Sequence, residues 1–406
     1  MKRFLTIIGP GLLVAATGIG AGDLATASFA GSFLGTAVLW AVVIGALMKF
    51  SVTEGLARWQ LATGTTLLEG VVGRLGPAFG WVFLAYLVFW SFFVGSALMS
   101  ACGVALHALL PVFDDARSGK IVFGALCSLL GWALVLIGGY PLFEKIMKVC
   151  IGFMFLTVIS TAALLWPGSE AVLTGLLLPS IPQTDGALGW TVALMGGVGG
   201  TVTVLCYGYW IREENRSGPD ALNTSRIDLA AAYLVTAVFG VAMVIIGGTI
   251  EIEGRGASLL VDLSARLGES LGPFGRLAFL VGAAGAVFSS LLGVWQAVPY
   301  LFADTWQQLR GSGRSGNAAP GDPTAYRLYL AALALLPMAG LFLGFQAVQK
   351  LYAVVGAWFF PALTLALLVM NNRRAWIGER YRNGITANLA LLVILVFFSW
   401  IALRSF

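Results

Sequence analysis

Thr17-Gly-Ile-Gly-Ala-Gly-Asp23 and Met195-Gly-Gly-Val-Gly-Gly-Thr-Val-Thr203 are the two stretches on which the reading of this chain turns. Each sets a cluster of glycines in the middle of a long apolar segment. A helix in lipid has no water to take over backbone groups that it frees, so unwound backbone at that depth must lie inside protein or beside a polar cavity. The half-helix ends at such a break offer carbonyls to cations and amides to anions. Two breaks five spans apart mark the first helix of each half of a five-plus-five inverted repeat, and they point to a binding site between them. The plainer alternative is that the glycines only let helices approach closely, as small residues do in membranes.

The composition supplies the spans. With 59% of its 406 residues hydrophobic and 11% charged, the chain carries more apolar surface than one soluble core can bury. Eleven segments are long and apolar enough to cross a bilayer, near residues 4–33, 36–60, 78–109, 120–139, 143–166, 188–212, 227–250, 274–303, 325–343, 346–370 and 384–404. The basic start Met1-Lys-Arg3 runs into apolar sequence with no small-residue cleavage site, so the first segment is expected to be retained as a span. The expected fold is therefore an all-α polytopic membrane protein. Its expected halves are 1–166 and 188–371, separated by an extracytoplasmic loop at 167–187 and followed by a cytoplasmic loop and last span over 372–406.

Placing the N-terminus in the cytoplasm puts 16 of the 24 basic residues on that side, which favours N-terminus in, C-terminus out, in the inner membrane. The net charge of +5 belongs to those loops and calls for no nucleic acid. Cys102, Cys127, Cys150 and Cys206 lie in apolar segments without paired spacing, so they read as buried thiols rather than a disulfide or zinc framework. His107 sits near the end of a span, where it reads as helix-end packing. No Walker loop, nucleotide fingerprint or catalytic triad is present, which argues against an ATP-driven pump and against an enzyme. The expected partners are the lipid bilayer and a transported ion or small solute, with no cofactor.

From Gly9-Pro-Gly-Leu-Leu-Val-Ala-Ala-Thr-Gly-Ile-Gly-Ala-Gly-Asp-Leu-Ala-Thr26 onward, the chain resembles the Nramp family of divalent metal transporters. Leu39-Trp40, Ala57-Arg58, Ala62-Thr-Gly64, Gly175-Leu-Leu-Leu-Pro-Ser180, Ser225-Arg-Ile-Asp228 and Ser289-Ser290 follow the family in the same order. The resemblance implies a LeuT-type architecture and alternating access. It also exposes departures. On the family's DPGN metal-binding break this chain reads Gly20, Ala21, Gly22, Asp23, so one carboxylate is displaced by three residues. The family's methionine, proline and histidine of the sixth span fall on Thr203, Val204 and Leu205, a later histidine falls on Trp210, and the tenth-span glutamine falls on Phe359. The third span, acidic in proton-coupled members, runs from Tyr86 to Ser96 without a carboxylate.

Losing the thioether leaves an all-oxygen site suited to Mg²⁺ or Mn²⁺ rather than to softer metals. Candidate metal ligands are Asp23, Thr203 and the carbonyls near Gly20 and Gly200, with Thr17, Tyr207 and Phe359 as further substrate-binding residues. Without the histidines and the third-span acids, coupling to a proton is not expected. An intramembrane carboxylate such as Asp23 is costly unless it faces a cavity or a partner. It reads either as a ligand or as an N-cap of the outer half-helix. Lys49, deep in the second span, reads as snorkelling or as pairing with Glu54 or another carboxylate; the sharper reading is that its ammonium replaces a coupling cation or supports an anionic substrate. Lys49 and Trp210 are the candidate coupling or gating residues. If Tyr207, Tyr209, Trp210 and Phe359 line the cavity, they favour an organic cation or zwitterion through cation-π contact, so a transporter of a small amine or amino acid is the rival reading. Arg212-Glu-Glu-Asn-Arg216 is expected to extend the sixth helix with local charge pairing. The stretch 311–323 is expected to be a flexible linker, and Leu259, Leu260, Leu263 and Leu267 predict a short amphipathic helix.

Overall fold

The computed structural model describes residues 9–214, 216, 219–249, 259–311 and 322–404. The basic start and residues 312–321 of the expected linker lie outside the described residues. Among those described, nine helical stretches are long and apolar enough to cross a membrane. One of them, Asp23–Thr63, holds the outer part of the first expected span and all of the second, and the apolar helix Ile385–Arg404 falls on the last, so each of the eleven expected segments is helical in its described residues apart from the breaks.

The first span is broken. Helix α1 (Pro10–Gly18) opens on a proline, whose missing N–H and fixed φ suit the first helical position. Beyond it a six-residue π-helical stretch, Ala21–Thr26, leads into α2 (Ala27–Leu34). After a 3₁₀ turn begun by Gly35, at φ +61°, come α3 (Leu39–Thr63), the short α4 (Leu67–Leu75) and α5 (Pro77–Leu109). Thr66 and Glu69 form a reciprocal capping box at the start of α4. The expected spans 120–139 and 143–166 form one helical run, α6 (Ala116–Leu164), rather than two separate helices. A short α7 (Ser169–Leu177) follows.

The sixth span is broken as well, into α8 (Ala187–Gly197) and α9 (Cys206–Glu213). Then come α10 (Pro219–Gly247), α11 (Leu259–Leu309), α12 (Pro323–Leu335), α13 (Phe345–Ala357), α14 (Phe359–Met370) and α15 (Ile385–Arg404). The amphipathic segment expected around Leu259 is the first part of α11, set off by a kink at Gly272 where φ is +71°. A further break at Trp358 separates α13 from α14.

Side chains such as Val82, Ile137, Leu156 and Leu234 are large, apolar and exposed, as a surface that faces lipid tails requires. Both broken helices lie at the centre. α1 packs against α10 and α11, and α8 packs against α3 and α13. The four cysteines are free, three of them buried. His107 is buried against Gly119, in keeping with helix-end packing.

Candidate functional site

The two breaks meet backbone to backbone. Gly199 and Gly200 have φ of +74° and +84°, the left-handed region that glycine enters without steric cost. A Cβ on Gly18 would stand 2.7 Å from the Gly199 carbonyl carbon and 2.9 Å from the Gly200 nitrogen, so only glycine fits at this crossing. The glycine clusters thus both unwind the helices and let the unwound segments touch.

Several backbone groups freed at the second break have identifiable partners. The Gly197 carbonyl accepts from the Gly200 N–H at 3.3 Å. The Gly199 N–H donates to Asp23 Oδ2 at 3.0 Å. The Gly196 and Val198 carbonyls, at the negative end of α8, both accept from the Lys49 ammonium, the first at 2.8 Å. Asp23 and Lys49 are wholly buried and interact electrostatically, so each offsets part of the other's desolvation. The Lys49 ammonium also lies 5.5 Å from the centre of the Phe360 ring.

The structure chooses between readings that the sequence left open: the carboxylate that acts on Lys49 is Asp23 rather than Glu54. Lys49 does not pair with Glu54, whose carboxylate is taken by Arg58 and Arg226, each at 2.8 Å. Five residues apart on a helix, Lys49 and Glu54 point about 140° away from each other. Asp23 does not cap its own helix but reaches across to the break in the other. Its second oxygen, Oδ1, has no hydrogen-bond partner and faces α10, where a Cβ at Gly240 would be 3.6 Å away.

The other candidates are spread over several places. Gly20 and Thr17 are held by α11: the Ser290 hydroxyl donates to the Thr17 carbonyl, and a Cβ on Gly20 would collide with Ser290. Thr17 Oγ1 is buried without a partner, and the Gly20 carbonyl accepts from the Leu24 N–H at 2.8 Å. Thr203 lies in a 3₁₀ turn with its hydroxyl against Gly200, at the break itself. Phe359 stacks on Tyr86 with ring centres 5.8 Å apart, and the Tyr86 hydroxyl donates to the Val355 carbonyl at 2.8 Å. Tyr207 is not turned toward the break: its hydroxyl donates to Asp228 Oδ2 at 3.1 Å. Trp210, one turn further along α9, is buried.

Sequence reasoning missed Thr201, whose hydroxyl accepts from Trp90 Nε1 at 3.0 Å and contacts the Tyr352 hydroxyl. It also missed Asp228. That carboxylate accepts from the Gly9 and Gly11 N–H groups at 3.2 and 2.8 Å, and from Tyr207 and Arg216, so it caps α1 and ties it to α9 and α10. Arg212 likewise leaves its own helix to bond Glu69 of α4 at 3.0 Å. Beside the local interaction of Arg212 with Glu213, both arginines therefore also pair with carboxylates of other helices. The position of Asp228 in the Ser225-Arg-Ile-Asp228 stretch, at the start of an apolar span, was the available signal.

A bundle whose two glycine-broken helices cross around a buried carboxylate has the architecture of a LeuT-type membrane transporter. The family model described as natural resistance-associated macrophage protein-like matches residues 11–406, and the chain belongs to the Nramp family, whose members are transporters and not enzymes. It is 25% identical to the divalent metal cation transporter MntH of Acidiphilium cryptum, over 95% of this chain and 87% of that protein. It is 26% identical to MntH of Aeromonas hydrophila over 60% of this chain, and 25% identical to an uncharacterized protein of Pasteurella multocida over 63%. In those last two the chain spans 59% and 58% of the relative's length. Among solved structures, a variant of the Eremococcus coleocola manganese transporter superposes with a TM-score of 0.78 at 17% identity, covering 100% of this chain and 86% of that one. MhsT in complex with L-phenylalanine superposes with a TM-score of 0.57 at 17% identity, covering 95% and 97%. These likenesses show the fold.

Proposed function

We propose that this chain carries a hard divalent metal cation, Mn²⁺ or Mg²⁺, across the inner membrane by alternating access. The observation that carries the reading is the unpartnered Oδ1 of Asp23, a buried carboxylate oxygen that faces α10 beside the two helix breaks. Relatives named as divalent metal cation and manganese transporters support the cargo class. Asp23, Thr203 and the carbonyls of Gly20 and Gly200 are the protein oxygens offered to the ion. Among the described residues no group of three or more His, Cys, Asp or Glu could hold a metal, so water completes the shell, as hard cations accept. The halves 1–166 and 188–371 would move against each other about this point, with the N-terminus cytoplasmic and the C-terminus outside. The Asp228 cluster then closes the cytoplasmic end. Trp90 stands in a third span without carboxylates, which supports transport that needs no coupled proton.

Uptake of ⁵⁴Mn²⁺ and of Mg²⁺ by proteoliposomes tests the reading: saturable uptake is expected in the native protein and at least a tenfold loss in Asp23→Ala. Undiminished uptake in that variant would remove Asp23 from the site.

One observation favours a second reading. Lys49 already faces Asp23 and so lowers the negative charge available to a metal, while Tyr86 and Phe359 present stacked rings near Phe360. A small amine or amino acid would suit that mixture of paired charge and aromatic surface. Thermal stabilisation by such a solute, with none from Mn²⁺ or Mg²⁺, would select it.

A further inference from the structure

Lys49 makes contacts that a bound cation would otherwise make. Helix ends leave carbonyls without partners, and a break in mid-membrane cannot hand them to water. At the end of α8 those carbonyls belong to Gly196 and Val198, and both turn to the Lys49 ammonium. The Phe360 ring lies on another side of it, and the Asp23 carboxylate supplies the opposing charge. Two carbonyls and an aromatic ring make a cation cradle, filled by a side chain of the same protein, with the Asp23 carboxylate acting on it electrostatically rather than by direct contact. The charged or titratable groups around it are few: Asp23 faces it from the first broken helix. Tyr233 of α10 bonds Thr53 one turn along α3 at 2.7 Å, and Tyr352 of α13 interacts with Asp23. Glu54, on its own helix, is committed to Arg58 and Arg226.

We propose that Lys49 is a tethered co-ion: its ammonium permanently occupies a monovalent cation site at the helix break, so the protein needs no bound Na⁺ or K⁺ to assemble its central site. This rests on the contacts of Lys49 and is independent of which cargo Asp23 receives.

The test uses the purified full chain in nanodiscs, with thermal unfolding followed by tryptophan fluorescence in choline, sodium, potassium or ethylammonium chloride at equal ionic strength. The native protein is expected to unfold at the same temperature in all four. Lys49→Ala removes the occupant and leaves the cradle. It is expected to unfold well below the native protein in choline chloride, and to recover by several degrees, saturably, with ethylammonium or Na⁺. Lys49→Gln keeps hydrogen-bond donors but no charge, so it is expected to be destabilised and to regain stability when combined with Asp23→Asn. A packing role alone would give neither the cation rescue nor the charge compensation. Native-like stability of Lys49→Ala in choline, indifference of that variant to every monovalent cation, failure of the double variant to recover, or a saturable Na⁺ response of the native protein would each overturn the proposal. No divalent ion enters the experiment, so it can fail without touching the cargo reading, and the cargo reading can fail without touching it.

Discussion

Replacing Asp228 by asparagine should open the end of the molecule at which α1 begins. One carboxylate there receives two backbone N–H groups of α1, the Tyr207 hydroxyl and Arg216, whose guanidinium is 3.0 Å away in a pair where the acid is wholly buried. Asparagine has one acceptor oxygen in place of two and turns an NH₂ toward donors. Removing one partner of a buried ion pair costs about 3–5 kcal/mol, and we take the lower value because the remaining amide oxygen keeps some of the bonds. The loss falls on the state in which α1 is docked, since an α1 that has swung away makes none of these contacts. At about 1.4 kcal/mol per factor of ten, about 3 kcal/mol multiplies the undocked population roughly 150-fold. A protein that is docked about 99 to 1 would then be undocked more than half of the time. Val14 of α1 is 4% exposed, and cysteine is close to it in volume, so Val14→Cys in a background without the four native cysteines reports the motion by its rate of maleimide labelling. Asp228→Asn should raise that rate by about sixtyfold, the ratio of the undocked populations. Native Cys102, 1% exposed within α5, should stay protected in a parallel single-cysteine protein, which separates local opening from unfolding. An unchanged Val14→Cys rate, or equal gains at both positions, would refute the assignment of Asp228 as the tie that holds α1.

Four further perturbations follow from contacts already described. Gly18→Ala puts a methyl 2.7 Å from the Gly199 carbonyl carbon, an overpacking of about 1–3 kcal/mol that should force the two breaks apart and abolish cargo binding by titration, with the protein still purifying as a folded species. Trp90→Phe removes the bond to Thr201 and should lower stability by about 1 kcal/mol in denaturation, and Thr201→Val combined with it should add less than it does alone. Phe359→Leu loses the stack on Tyr86, worth about 0.5–1.5 kcal/mol beyond area, and should weaken organic ligands more than metal ions if the aromatic face contributes to cargo binding. Thr66→Ala removes the hydroxyl that accepts from the Glu69 N–H at the start of α4, at a cost of about 1 kcal/mol, so hydrogen exchange should quicken in α4 and, through the Glu69–Arg212 pair, at the end of α9.

The parts of this fold legible in the sequence are those set by local rules. The glycine clusters mark two helix breaks, and an aspartate at 23 inside an apolar run must have a partner or a cavity. Both statements are about a residue and its immediate neighbours, and both hold. What a sequence cannot display is which of two broken helices a buried charge serves. Asp23 could have capped its own half-helix, yet it bonds Gly199, 176 positions away, where the Gly18 crossing brings the two breaks together. Lys49 looked to Glu54 only because the two are near in the chain; the angle between them on a helix already argued against it, and the orphan carbonyls at the end of α8 were the stronger claim. Tyr207 shows the same rule in reverse. Four residues past Thr203, it lies a full helical turn, about 5.4 Å, further from the break, which is enough to move its hydroxyl from the central site to the Asp228 cluster. A resemblance transfers positions along the chain, but whether a side chain serves the central site or the closure of one end depends on that single turn.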